Sequence, residues 1–327
     1  MTRIHWEEPA GPASLKEKNV FFQIVLLFDT EPMIPFPKDM LVTMGKYFGP
    51  VEMTSDHDNM KGFYLTDIDS YEVDLDREDE EDETEEVGKT ADSGTPEKHE
   101  PAEQDGGVDR QPFLMVTELE DFHEASITPF ERSQMWDVFE EKNELLASMK
   151  YQLTGIDFYT DKLSKKRRTY LVMDFMEALL EIYPEAKAVY FPTAGKLIKV
   201  SDLLKKKAKR EERFISYAMN VRIFRPEGTD DHIVDTLGLY ALNYPDVQYH
   251  FHGLDPIQSV RHAYMVAAYI LDNDNPVKNN EAIISIGEEG FNEEEDWFLH
   301  YENAMVQPDR KVVDVQMGKY ASGGRYY

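Results

Sequence analysis

Three of the nine histidines of the chain fall within one short stretch, YHFHGLDPIQSVRH, residues 249–262. Histidines at this density raise two chemistries, a transition-metal site and a catalytic imidazole with a carboxylate partner. On a strand, His250 and His252 project to one face, as two ligands must, and Asp255 is near enough to act as the carboxylate. A third ligand would have to be His262, and the helix around it argues otherwise. Asp255 is a good N-cap, Pro256 suits the first turn and Gln258 completes a capping-box-like start. At 100° per residue, Ile257, Val260, Tyr264, Ala268 and Leu271 form one stripe, and His262 lies about 140° round from Ile257. It is expected to face solvent or a neighbouring element, not the strand beneath. The stretch therefore predicts strand, turn and helix with no metal site and no cofactor. His250, His252 and Asp255 stay as an alternative polar site for an enzyme of unspecified reaction.

Other candidate motifs resolve in the same direction. PTAGKLI (192–198) resembles the end of a phosphate loop. It lacks the upstream glycine, and Leu197 stands where a magnesium-binding hydroxyl belongs, so a turn after a strand is expected. Asp174, Glu177 and Glu181 align on one helix face and are read as a solvated ladder. Two basic runs, KLSKKRR (162–168) and KKKAKREER (205–213), stand out in an acidic chain. Without interleaved aromatics they read as charge runs on loops or helix ends, not a nucleic-acid platform.

The elements that would position these residues follow from pattern. The 327 residues suffice for a sizeable core, and the longest apolar runs, such as FFQIVLLF, are strand-length. There are no cysteines, and MTRIHWEEPAGPASLKEKN has no apolar core, so the expected location is cytoplasmic, with no membrane partner. A strand at 20–28, a helix around 37–48 and strands at VEMTS and GFYLTDI give a β-α-β-β run. A strand at 112–119 and a helix at 128–149, capped by Thr128 and Glu131, come next. The strand 151–160, a helix ending at Pro184, a strand at 186–192 and the segment after it repeat the order. The openings FFQIVLLFDT and YQLTGIDFYT share Phe28/Phe158 and Thr30/Thr160, which suggests two related β-α-β-β halves. Further strands are expected at ISYAMNVRIFRP, HIVDTLGLYAL, VQYHFH and AIISI, with a helix at 256–271. The class is α+β, a mixed or antiparallel sheet with packed helices.

Charge completes the domain plan. The net charge is −29; nineteen acids and four bases lie between Asp67 and Arg110, a net of −15 in that segment. Residues 67–110 are expected to be a disordered acidic insertion within one α+β domain, 19–286. It could lie across one of the basic runs. Residues 1–18 read as a polar tail and 287–327 as an irregular acidic and aromatic tail. Such acidity disfavours nucleic acid and steers basic proteins.

KAVYFPTAGKLI and HIVDTLGLYALNYPDVQYHFHGLDPIQSVRHAYMVAAYIL carry a family resemblance. The features are Val189, Tyr190, Phe191 and Pro192 at a strand end, Thr236, Gly238, Leu239 and Leu242, and the strand from Asp246 to His250. With these the chain resembles the uncharacterised bacterial domain-of-unknown-function family four-two-six-one, over roughly residues 20–286. The resemblance implies a bacterial cytoplasmic α+β domain and brings no catalytic residues. By analogy, acidic cysteine-free proteins of this kind serve as immunity or accessory proteins beside toxins. The leading expectation is a non-enzymatic protein that binds a basic protein partner. Trp297, Phe298 and Tyr301 would be its anchors, and Glu293, Glu294, Glu295 and Asp296 its acidic contacts. The alternatives are an enzyme at the His250/His252 face and a structural component of a bacterial assembly.

Overall fold

The computed structural model describes residues 2–4, 20–55, 60–68, 71, 111–160, 163–206, 208–287 and 290–323. The first half of the chain forms β1 (Thr2–Ile4), β2 (Gln23–Phe28), α1 (Pro37–Phe48), β3 (Val51–Ser55), β4 (Lys61–Leu65), β5 (Phe113–Val116) and β6 (Glu120–Asp121). Next come α2 (Pro129–Ser133), α3 (Lys142–Ser148), β7 (Tyr151–Phe158), α4 (Lys165–Ile182), β8 (Ala188–Phe191), β9 (Lys196–Lys199) and α5 (Val200–Lys205). The remainder is β10 (Asn220–Pro226), β11 (His232–Leu237), β12 (Asp246–Phe251), α6 (Pro256–Asp272), β13 (Glu281–Gly287), β14 (Gly290–Asn303) and β15 (Lys311–Gln316). The class is α+β, as the pattern predicts.

The first sheet runs β3-β4-β5-β7-β2-β8-β9, with β6 also on β7, and every pairing is antiparallel. Strands β2 and β5 both lie antiparallel to β7, so α1 links two parallel strands with β7 between them. Helix α4 does the same for β7 and β8 around β2. This is a doubled split β-α-β arrangement. The matching units are thus β2-α1-β5 and β7-α4-β8, and the β3–β4 hairpin is an addition within the first. Strand β2 is apolar at every position from Ile24 to Phe28 because both its faces are covered. On one face Met40, Met44 and Phe48 of α1 and Phe175 and Leu179 of α4 pack on Ile24, Leu26 and Phe28. Gly155 of β7 permits this: a Cβ there would sit 2.5 Å from Leu179 Cδ1 and 2.9 Å from Phe175 Cε1. On the other face Phe122, Ile127, Met135, Val138 and Leu146 cover Val25 and Leu27.

That cover is not the single helix expected over 128–149. It breaks into α2, a 3-10 turn at Trp136–Val138 and α3. The capping box forms as predicted, with Thr128 and Glu131 bonded reciprocally. The buried Gln134 then bonds across to the backbone of Ile223, and the segment bends to bring it there.

The second sheet runs β1-β10-β11-β12-β15-β14-β13 and is mixed, with parallel pairs at β1/β10 and β12/β15. Two terminal expectations are corrected here. Residues 2–4 are a strand rather than a polar tail, and residues 290–303 and 311–316 are strands of this sheet rather than an irregular tail. In β14 the buried Trp297 and Leu299 alternate with exposed neighbours, a period masked by the Glu293–Asp296 run. The expected insertion 67–110 lies outside the described residues apart from Asp67, Ile68 and Tyr71. Tyr71 is buried, with its hydroxyl donating to Asp174 at 3.0 Å. Among the described residues no helix is long and apolar enough to cross a membrane.

Candidate functional site

The second sheet has two unlike faces. Val221, Val234, Val247, Tyr249, Val313 and Leu299 point into the main core with α6. On the other face, register places Arg222 opposite Asp235, Asp235 opposite Gln248, Gln248 opposite Asp314 and Asp314 opposite His300. A polar row therefore crosses five strands, and its first four members are buried. Arg222 grips Asp235 bidentately, Nε to Oδ1 at 2.8 Å and Nη2 to Oδ2 at 2.5 Å. Arg310 donates to Asp235 at 2.7 Å and to Asp246 at 2.9 Å. Gln248 donates to Asp314 at 3.0 Å and accepts from the Met305 N–H at 2.7 Å. Two guanidinium groups and two carboxylates thus alternate as Arg222–Asp235–Arg310–Asp246, a neutral chain away from water. Burial pushes the Asp246 carboxyl up, opposed by Arg310. Buried ion pairs of this kind add little stability compared with apolar packing, but removing one partner strands the other charge away from water.

A cleft of about 410 Å³ opens beside Arg222. Its walls come from Thr128–Gln134, the β8–β9 turn, Tyr240 and the Gln307–Pro308 loop, so it lies where the two sheets meet. Burial raises the Tyr240 hydroxyl pKa, helped by Asp246, which keeps it a neutral donor. The β8–β9 turn is PTAG, a turn as the sequence predicts. The lysine after it is no phosphate ligand: the buried Lys196 Nζ donates to the Ser216 and Met219 carbonyls and pairs with Asp137.

The histidine stretch resolves differently. His250 Nε2 lies 3.2 Å from Asp231 Oδ2, while His252 Nδ1 meets the Ser322 hydroxyl at 2.9 Å. Asp255 caps α6 by accepting from the Ile257 N–H at 3.0 Å, as expected. The three are thus engaged with three different partners. His262 overturns its expected position. It is buried on the face of α6 that meets the sheet, with Ser259, Ala263, Val266, Ala267 and Ile270, whereas Ile257 and Tyr264 are exposed. Small residues let the helix lie close, and the imidazole is tolerated because both nitrogens bond. Nε2–H donates to the Ile284 carbonyl at 2.8 Å, which leaves Nδ1 to accept from Tyr249 at 2.7 Å. Burial lowers its pKa and holds it neutral. Among the described residues no cluster of His, Asp and Glu is arranged to hold a metal.

The expected partner-binding residues all sit on β14. Trp297 is fully buried, edge-on to His262 at 5.4 Å between ring centroids, so it is core and not an anchor. Phe298 is exposed. Tyr301 is partly exposed, its hydroxyl tied to Asn275 and the Val277 carbonyl. Pairing runs Ile284↔Asp296 and then Ser285↔Asn292, so Glu293, Glu294 and Glu295 bulge out of register. Glu294 and Asp296 are exposed; the Glu293 side chain lies outside the described residues.

The acidic ladder on α4 is solvated only in part: Asp174 is buried, Glu177 is half-buried and Glu181 is exposed, and each has a basic partner. Asp174 pairs with Arg210 and Arg213, both at 2.8 Å, Glu177 with Arg213 at 2.7 Å, and Glu181 with Lys46 at 2.7 Å. From the other basic run, Arg168 is buried, bonded to Asp157 at 2.7 Å and to the Val20 and Ala241 carbonyls at 2.9 Å. Sequence reasoning missed Arg222, Asp235, Asp246 and Arg310. The available signal was a lone charge inside a mostly apolar strand, Arg222 in NVRIF and Asp235 in HIVDTL.

No curated protein and no solved structure matches the chain. Residues 235–316 match the family model described as Domain of unknown function (DUF4261), a segment holding Asp235, Asp246, Arg310 and the Thr236–Leu242 and Asp246–His250 features, while Val189–Pro192 lies outside it.

Proposed function

We propose that the protein is a non-enzymatic binding protein whose β13–β14 hairpin docks a basic protein partner. The observation that carries this reading is the backbone bulge at Glu293–Glu295, where Glu294 and the adjoining Asp296 are exposed, flanked by the exposed rings of Phe291 (63% exposed) and Phe298 (41% exposed). Exposed aromatics supply affinity, while acids speed encounter and select a partner of opposite charge. Strand β13 ends the sheet order, so its outer row of backbone groups offers a template for an added strand. The net charge of −29 extends the attraction beyond the hairpin. The separate engagement of His250, His252 and Asp255 favours binding over the enzyme alternative. Analogy makes a toxin the first class of basic partner to try.

The test is a tagged pull-down from the native host at low and high salt, with wild type beside Glu294→Lys and Phe298→Ala. The expected result is one basic protein, recovered stoichiometrically by wild type, weakened by salt and lost by both variants. Recovery indifferent to the variants would remove the hairpin from the interface. No partner at either salt would end the binding reading, and stable self-association alone would favour the assembly alternative.

A further inference from the structure

We infer that the cleft between the two sheets is a binding site for a small uncharged molecule bearing a carbonyl acceptor, of the amide class. It is separate from the acidic hairpin and does not depend on it.

The cleft's volume of about 410 Å³ falls within the range of small-molecule sites, and such sites favour junctions between layers. Its donors are already in place. Arg222 uses three of its five N–H groups, two on Asp235 and one on the Gln307 carbonyl, which leaves two for an acceptor in the cleft. Thr193 Oγ1 is buried at the wall with no hydrogen-bond partner among the described residues. A buried hydroxyl without a partner is costly, and a ligand group that completes it recovers that cost. Phe130, stacked on Phe224 at 5.5 Å and 4° between ring planes, gives the site an apolar wall.

Charge decides the class. Asp235 already neutralises Arg222, so the guanidinium offers directed N–H groups with little net field to draw an anion. Glu131, also in the wall, would repel one. That carboxylate is itself committed, accepting from the Thr128 N–H at 2.8 Å and from Tyr190 at 3.3 Å, so a cation gains little. The two remaining guanidinium N–H groups, a hydroxyl and a flat apolar wall fit a planar carbonyl compound. This gives the chain Arg222–Asp235–Arg310–Asp246 a role, because it holds the Arg222 fork rigid at the cleft floor, as a preorganised site requires.

The experiment is a two-dimensional amide NMR titration of the full chain with three probes at up to high millimolar concentration: N-methylacetamide, glucose and inorganic phosphate. N-methylacetamide is expected to move the amide signals of Thr193, Ala194 and Gly195, with phosphate moving them least. Thr193→Val keeps the shape and removes the hydroxyl, so it should weaken the response about 5–10-fold. Thr193→Phe fills the cleft and should abolish it, with the remaining signals showing that the variant folds. Stronger shifts with glucose would reassign the site to polyols and overturn the amide class. Equal shifts with phosphate, no shift with any probe, or a response indifferent to both variants would overturn the site itself.

Discussion

Arg310→Met tests the buried charge chain most directly. In the wild type, Arg310 Nη1 also holds the Val306 and Pro308 carbonyls at 2.9 and 3.0 Å, so one side chain ties β11, β12 and the 304–310 loop together. Methionine fills similar space and removes the charge. Asp235 keeps its bidentate Arg222, but Asp246 retains only the Thr236 hydroxyl at 3.0 Å and the Leu239 N–H at 3.1 Å. Asp246 is then a carboxylate out of contact with water and without a cation, and breaking a buried pair in this way costs about 3–5 kcal/mol. Urea unfolding monitored by tryptophan fluorescence reads the loss as a lower midpoint at unchanged slope. The pH dependence is a second readout. Burial already raises the Asp246 pKa, and without Arg310 to oppose it the rise grows. Between the unfolded carboxyl value of about 3.9 and the folded value, the folded variant binds more protons than the unfolded chain. Its stability is therefore greatest below that window and falls as pH rises through the folded pKa, so the gap to wild type widens toward neutrality. Adding Asp246→Asn removes the stranded charge and should recover on the order of 1–3 kcal/mol. A single-variant loss below about 1 kcal/mol, or a double variant no more stable than the single, would refute the reasoning.

Three further outcomes follow from the packing. His262 has a folded pKa below its unfolded value of about 6.5, so acidification from there down to the folded value strips stability; His262→Gln should flatten that part of the profile in urea titrations from pH 7 to 5. Arg168→Ala leaves Asp157 buried without its cation and should cost about 3–5 kcal/mol, with Arg168→Lys failing to restore it because lysine cannot reach Val20, Ala241 and Asp157 together. Gly155→Ala pushes a methyl into Leu179 and Phe175 and should cost about 1–3 kcal/mol by thermal unfolding; a neutral result would mean that α4 can lift from β7.

Much of the fold was legible because it is written in local pattern. Ile24–Phe28 is a short, uniformly apolar run of strand length, as a strand covered on both faces requires. Pro37, Thr128 and Asp255 mark helix starts through rules that need only neighbouring residues. The errors share one cause. The stripe proposed for α6 ranked Ile257 and Tyr264 above His262, since periodicity weighs hydrophobicity and cannot see that two waiting partners make an imidazole cheap to bury. Residues 290–303 read as a tail because five consecutive polar residues hid the alternation around Trp297. The break of 128–149 into two short helices is set by Gln134 reaching a strand nearly ninety residues further along the chain.

The candidate site shows where that boundary lies. By itself the sequence determined the α+β class, the order of most elements, the concentration of acid in particular segments and the family resemblance carried by Thr236–Leu242 and Asp246–His250. Only the tertiary structure decided what the charged residues do. Arg222, Asp235, Asp246 and Arg310 lie on separate strands and a loop, and one sheet register brings them into a single chain. Arg168 and Asp174, read from sequence as surface charges, became buried pairs. The physical reason is that a charge in sequence carries no statement of its partner; burial becomes tolerable only when a distant segment delivers the opposite charge within hydrogen-bond reach.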